Sequence, residues 1–141
     1  MSEQGSCPQA PLAPDAADPA AEAQIMAMVR RFYSLALADD LLGPMFRAEI
    51  DDMDEHLIIV ADFWSHALLG TSRYKRGTPF THHTHLEVAE EHFTRWMAAF
   101  EPAVRETLPP ALATPALQRA AHMTESFRMG MLPLPAPRTP A

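Results

Sequence analysis

Histidine is concentrated in one stretch of the chain, PFTHHTHLEVAEEHFTRW, residues 79–96. Four of the seven histidines lie there, and the stretch closes on Phe93 and Trp96. These four are His82, His83, His85 and His92. A neutral imidazole is a common metal ligand, and imidazoles one or two residues apart in a loop can reach the same ion. The pattern indicates either a metal site or a polar loop that precedes an apolar helix.

A zinc or nickel site would draw on His82, His83 and His85. A structural zinc site needs four ligands, however, and the single cysteine, Cys7, lies far away in a Pro-rich terminal segment. No carboxylate has a convincing spacing to the histidines. Taken alone, the cluster therefore favours the polar loop over a closed zinc site.

Most enzyme classes with short sequence signatures are excluded. The chain has no Gly-rich phosphate loop, CxxC pair, G-x-S-x-G elbow or HExxH. Its net charge of −7, without a basic stripe, argues against nucleic acid and against an anionic membrane surface as partners. One cysteine, no recognisable signal peptide and no long apolar run predict a cytoplasmic protein without a membrane span.

Proline marks the expected domain boundaries. The segments 1–21 and 132–141 are rich in Pro and Ala, and we expect both to be disordered tails. The range 22–131 is the predicted folded domain. Apolar residues recur there every three or four positions, which is typical of helices, and no segment alternates as a strand would. The predicted fold class is all-α.

Four long helices are expected. Gly43-Pro44 predicts a break that opens a short helical turn. Gly70 predicts a C-terminal cap of the second long helix. Thr114-Pro115 predicts the start of the last helix. The expected helices cover about 22–38, 53–69, 89–107 and 115–130.

Aromatic residues supply a third interpretation of the histidines, namely a flat apolar cofactor with one axial imidazole. A haem needs a proximal histidine and an apolar slot between helices. Each aromatic taken singly is more simply explained as core. Together they offer the slot; with their apolar neighbours they are Phe32, Tyr33, Phe46, Val60, Phe63, Trp64, Phe93, Trp96 and Met97.

Four segments resemble the truncated haemoglobins, most closely the group III subgroup. They are RFYSLALADDLLGPMF, HLIIVADFWSHALLGTSRYKRGTPF, HTHLEVAEEHFTRWMAAF and LQRAAHMTESFRMGM, and they extend from about residue 25 to 130. The order and spacing of LLGP-x-F, DFW…LLG…Y and HF-x-RW carry the resemblance. It implies a two-on-two helical sandwich around haem b.

The resemblance also implies roles for individual residues. His83 becomes the proximal iron ligand, with His85 and then His82 as alternatives because the loop varies in length. The distal ligand pocket is implied to contain Tyr33, His56, Val60, Trp64 and Trp96. The resemblance implies that Phe46, Tyr74, Phe93 and Trp96 contact the cofactor. Candidates for the haem propionates are Arg73, Lys75, Arg76 and Arg95, although a solvated charge explains each equally well.

The function that the resemblance implies is reversible binding of O2 and other small ligands, NO and CO. An NO dioxygenase or peroxidase-like activity would need an external reductase, so catalysis stays open. The alternative from a different functional class is a regulatory or interaction module that keeps the globin fold without haem. The third hypothesis is a His-rich metal-binding protein.

Overall fold

A computed structural model describes residues 18–77, 79, 83 and 85–132 of the chain. The described residues form five helices and no strand, which confirms the all-α class. The bounds are α1 Pro19–Ala38, α2 Leu42–Glu49, α3 Met53–Leu69, α4 Glu90–Thr107 and α5 Pro110–Met131. None of these helices combines the length and the apolarity that a membrane crossing requires.

Local capping explains where α1 and α3 begin. Asp18 accepts a hydrogen bond from the Ala20 N–H at 3.2 Å, and Pro19 follows at a position where its missing N–H costs nothing. Asp52 caps α3 by accepting from the Glu55 N–H at 3.2 Å. The predicted cap at Gly70 is confirmed: its φ of 77° is the left-handed conformation that favours glycine.

The helices pack as two crossed pairs. α1 contacts α3 and α4, α4 contacts α5, and α3 also contacts α5, so the pair α1 and α3 lies over the pair α4 and α5. Fully buried side chains of α1 and α4 form the centre, and the predicted two-on-two sandwich is confirmed. These central residues are Ile25, Met28, Val29, Ala36, Phe100, Ala103 and Val104.

Two helix starts differ from the prediction. α1 begins at Pro19, inside the range assigned to a tail, because Asp18 caps it and Ala21 is already buried. The start at Thr114-Pro115 is wrong: α5 begins at Pro110, and Pro115 lies inside it. The carbonyl that Pro115 leaves without its helical donor belongs to Ala111, which is exposed and can bond water.

Candidate functional site

One cavity of about 450 Å³ lies between the two helix pairs. Side chains of all five helices line it, together with residues from the segment between α3 and α4. Ten of the residues for which the resemblance implies a role in binding contribute to this lining: Tyr33, Phe46, His56, Val60, Trp64, Tyr74, His83, His85, Phe93 and Trp96. Residues up to 63 positions apart, such as Tyr33 and Trp96, therefore meet at one place.

His83 is half-buried and is held by a backbone group. Its Nδ1 lies 2.5 Å from the carbonyl oxygen of Pro79. Since a carbonyl only accepts, Nδ1 carries the proton and donates, which places the lone pair on Nε2. Phe127 of α5 packs against the ring with a centroid distance of 5.2 Å. This is the tautomer and the second-nitrogen hydrogen bond that a metal-binding imidazole usually has.

The neighbouring histidines have other partners. His85 is 61% exposed, and its Nε2 lies 2.8 Å from Oε1 of Glu49 at the rim of the cavity. His92 uses Nδ1 to accept the Ala89 N–H at 2.9 Å, which caps α4. His82 lies outside the described residues. Among those described, no group of three or more His, Cys, Asp or Glu is arranged to hold a metal ion, so the geometry gives the zinc hypothesis no support.

Tyr33 and His56 form a hydrogen-bonded pair that also lines the cavity. The Tyr33 hydroxyl lies 2.7 Å from Nε2 of His56, and the two rings meet edge to face at 5.3 Å. Burial raises the pKa of Tyr33 far above its usual range, so its hydroxyl keeps its proton. Burial lowers the pKa of His56, as does electrostatic repulsion from the protonated form of His83 and from Arg76. At neutral pH both groups are uncharged, and each can donate or accept one hydrogen bond.

A stack of aromatic rings forms one wall. Trp96 lies on Phe100 at 4.8 Å with 15° between the planes, and Phe100 lies on Trp64 at 5.0 Å with 26°. Trp64 is buried, whereas Trp96 is half-buried at the cavity. Within the part of the chain that the structure describes, the Trp96 indole N–H has no hydrogen bond. It remains a donor that a molecule in the cavity can use.

Four further predicted residues complete the lining. Phe46 of α2 contacts Tyr33 at 5.4 Å, and Phe93 is buried at the start of α4. Val60 is half-buried on α3, and Tyr74 packs edge to face on Phe63 at 5.3 Å. All four present apolar surface, as a flat aromatic cofactor would require.

The four basic candidates separate into different roles. Arg73 binds Glu22 at 2.8 Å and Asp62 at 3.1 Å, so it anchors the loop after α3. Arg95 is taken up by three carboxylates, those of Asp39, Asp40 and Glu91. Lys75 is exposed and does not line the cavity. Of the four, Arg76 alone lines it, and it stands on the loop at the rim.

Several lining residues were missed because the sequence identified them only as core or not at all. Met123, Phe127 and Met131 lie along one side of α5, and Met28 and Met45 come from α1 and α2. The helical spacing of Phe127 and Met131 predicted a buried face. Nothing local indicated that this face borders a cavity, since that depends on how α5 packs against the histidine segment.

The lining fits a haem. A flat macrocycle with two carboxylates needs an apolar slot, one imidazole on a face, and a cation or solvent at the edge. The cavity supplies aromatic and methionine side chains, the Nε2 lone pair of His83, and Arg76 at the rim. A mostly apolar lining with a minority of polar side chains is typical of a cofactor site.

These features define a haem-type globin fold, and comparison with known proteins agrees. The bacterial-like globin family matches residues 20–132, and the chain belongs to that family. It is 29% identical over 109 residues to the group 3 truncated hemoglobin ctb of Campylobacter jejuni, covering 74% of this chain and 85% of that protein. The crystal structure of group III truncated hemoglobin from Campylobacter jejuni superposes with a TM-score of 0.75 and 26% identity. That superposition covers 82% of this chain and 94% of the other. The resemblance to truncated haemoglobins is confirmed, and membership of a globin family implies haem binding.

Proposed function

We propose that the chain binds haem b in the cavity, where Nε2 of His83 would hold the iron, and takes up small diatomic ligands, O2, NO or CO, next to Tyr33 and His56. The observation that carries this proposal is the hydrogen bond from His83 Nδ1 to the Pro79 carbonyl inside an apolar cavity. The bond fixes the ring and keeps the proton on Nδ1, so Nε2 is the nitrogen that would bind iron. His85 is a poorer ligand because its Nε2 is engaged by Glu49 in solvent.

Haem iron supplies reversible binding of such ligands, and the protein controls their hydrogen bonds. Tyr33 has one proton, so it cannot donate fully to His56 and to a ligand at once. When the Tyr33 hydroxyl donates its hydrogen bond to a ligand, His56 must adopt the tautomer with a proton on Nε2 and donate to the Tyr33 oxygen. His56 thereby orients Tyr33, and Trp96 provides a second N–H.

Two donors toward a partly negative ligand slow its release. That property suits ligand chemistry or sensing better than bulk transport. NO dioxygenation or peroxide reduction at this site would take electrons from another protein or from a small reductant. We assign neither of them as the physiological reaction.

The test is a titration of haem-free protein with ferric haem, followed by reduction and addition of CO. We expect one haem per chain and a Soret band that shifts when CO binds. A protein that remains colourless after reconstitution would contradict the proposal and leave the haemless regulatory module as the function to examine.

A further inference from the structure

His92 lines the cavity from the first turn of α4, and the hydrogen bond of one ring nitrogen fixes the state of the other. Its Nδ1 accepts the Ala89 N–H at 2.9 Å. A backbone N–H only donates, so Nδ1 carries the lone pair and Nε2 carries the ring proton. His92 therefore has the tautomer opposite to that of His83, whose Nδ1 donates to Pro79. In this tautomer Nε2 is a hydrogen-bond donor without a lone pair for a metal ion.

The Nε2–H of His92 has no acceptor among the residues that the structure describes. The two carboxylates next to it in sequence are already bound by arginines. Glu90 accepts from Arg128 at 2.6 Å, and Glu91 accepts from Arg95 at 2.8 Å. Because the ring is half-buried, a bonding partner for this donor inside the cavity would be stabilising.

The described lining of the cavity does not supply that partner. Glu49 is the one acidic residue in this lining, and its Oε1 lies 2.8 Å from Nε2 of His85. The acceptor for His92 must therefore be water or a group of the molecule that occupies the cavity. A haem carries two carboxylates at one edge, and a charged acceptor makes a stronger hydrogen bond than a neutral one.

We propose that His92 binds a carboxylate of the cofactor through its Nε2–H, so that the cavity favours a macrocycle with free carboxylates over a neutral one. This inference rests on the proposed function, because the cofactor supplies the carboxylate. His83 and His92 then hold one cofactor in different ways. The first binds at the metal through a lone pair, and the second binds at the acidic edge through a proton.

The test separates the donor role of His92 from its capping role. His92→Glu keeps an acceptor for the Ala89 N–H, since glutamate is favoured at this position of a capping box, but it removes the donor and adds a negative charge. His92→Gln keeps both an acceptor and a donor. His122→Glu makes the same change of residue on the exposed surface of α5 and does not line the cavity.

Each protein is loaded with ferric haem or with haem dimethyl ester, in which both carboxylates are masked, and transfer to excess apomyoglobin gives the rate of release. We expect His92→Glu to release haem about tenfold faster than the wild type, the size expected for a charge-assisted hydrogen bond. With the ester the two rates should differ by less than about threefold, because a neutral acceptor bonds more weakly and is not repelled. His92→Gln and His122→Glu should stay near the wild type with both cofactors.

Two outcomes would overturn the proposal. One is a His92→Glu variant that releases haem as slowly as the wild type. The other is release of haem and of the ester accelerated by the same factor, which would show that His92 acts only through the structure of α4.

Nitrogen-15 NMR of the imidazole rings in the haem-free protein checks the premise without any cofactor. We expect the ring proton of His92 on Nε2, and a proton on Nδ1 instead would contradict the inference. A wild type that binds no haem would contradict the proposed function and this inference together. Normal haem binding with an unaffected His92→Glu would contradict this inference alone.

Discussion

The hydrogen-bond partner and the place of the ring together distinguish the described histidines. His85 meets a carboxylate in solvent, and His92 caps its own helix. His83 and His66 each donate from Nδ1 to a backbone carbonyl, but of these two only His83 lines the cavity. The sequence could predict that one of several clustered histidines is used, but the choice depends on backbone groups that local patterns do not reveal.

Tyr33→Phe should speed O2 dissociation by about tenfold, because one hydrogen bond of about 1–2 kcal/mol to the ligand is removed. Stopped-flow displacement of O2 by CO measures the rate. Trp96→Phe provides the comparison, since it removes the second donor and leaves the Tyr33–His56 pair in place. An off-rate unchanged in Tyr33→Phe would exclude Tyr33 as the main donor.

His56 should make stability depend on pH. Burial, with repulsion from the protonated form of His83 and from Arg76, keeps its folded pKa below the ordinary value of about 6.5. The unfolded chain then binds the proton more readily. The folded state therefore keeps its full stability above about pH 6.5 and loses it as pH falls through the folded pKa.

The corresponding measurement is the urea midpoint between about pH 8 and pH 5, at fixed haem content. In His56→Gln the fall in midpoint over this range should be smaller than in the wild type. Carboxylates such as Glu90, whose pKa is lowered by Arg128, titrate in both proteins and cancel in the comparison. If the urea midpoint depended on pH equally in the wild type and in His56→Gln, the pKa of His56 would be the same in the folded and the unfolded protein.

Among the elements, α2 depends on a close approach at its start. A Cβ on Gly43 would lie 2.5 Å from the Leu37 carbonyl oxygen, a backbone atom that cannot turn aside. The same carbonyl accepts from Arg47 at 3.0 Å, which ties α2 to the end of α1. This contact positions Phe46 beside Tyr33.

Gly43→Ala should lower the free energy of unfolding by about 1–3 kcal/mol, the usual range for forcing an atom into a packed site. Urea denaturation measures it. The matched control is Ala48→Ser, exposed on the same helix, which should stay within about 0.5 kcal/mol of the wild type. Equal stabilities for the two variants would contradict the close approach.

Helix α5 shows where local rules fail. Both Thr114-Pro115 and Pro109-Pro110 have a sequence typical of a helix start. The helix in fact begins at Pro110. Interior proline costs about 3 kcal/mol or more in a helix. Here the fully buried Ala116 and Ala120 pack the helix against its neighbours on the side away from the exposed Pro115. Tertiary packing decides the boundary. No competing start signal arises in α3 and α4, whose bounds the sequence predicted closely.

For the whole molecule, Arg73 joins parts that are far apart in sequence. It binds Glu22 of α1 and Asp62 of α3 while it stands on the loop that carries Tyr74 and Arg76. The resemblance made Arg73 a candidate partner of a haem propionate, with a solvated charge as an equally good explanation. The structure gives it the role of holding this loop against the two helices.

Arg73→Met should therefore lower the free energy of unfolding by about 1–2 kcal/mol, a value reduced for its partial exposure. Haem affinity should change less than in Arg76→Met, which removes the cation at the rim. Arg105→Met is the control, since its exposed pair with Glu101 lies within one helix and should contribute almost nothing. A urea midpoint that is the same in Arg73→Met as in the wild type would show that Arg73 does not hold the loop against α1 and α3.

The site as a whole is a product of packing. The resemblance to truncated haemoglobins identified ten residues that line the cavity, because they lie in or near motifs that the family shares. It missed Met123 and other methionines, whose flexible apolar side chains adapt to many surroundings and carry no motif. It also could not separate Arg76 from Arg73 and Arg95, since which of them lines the cavity depends on how the loop after α3 and the helices pack.

The measurement that tests the central claim most directly is the absorption spectrum of reconstituted His83→Ala beside His85→Ala, as ferrous and CO-bound proteins. We predict that His85→Ala keeps the wild-type spectrum. His83→Ala should lose haem or change its spectrum, and added imidazole should restore the wild-type bands. A wild-type spectrum in His83→Ala, with the loss in His85→Ala, would contradict the assignment of His83 as the iron ligand.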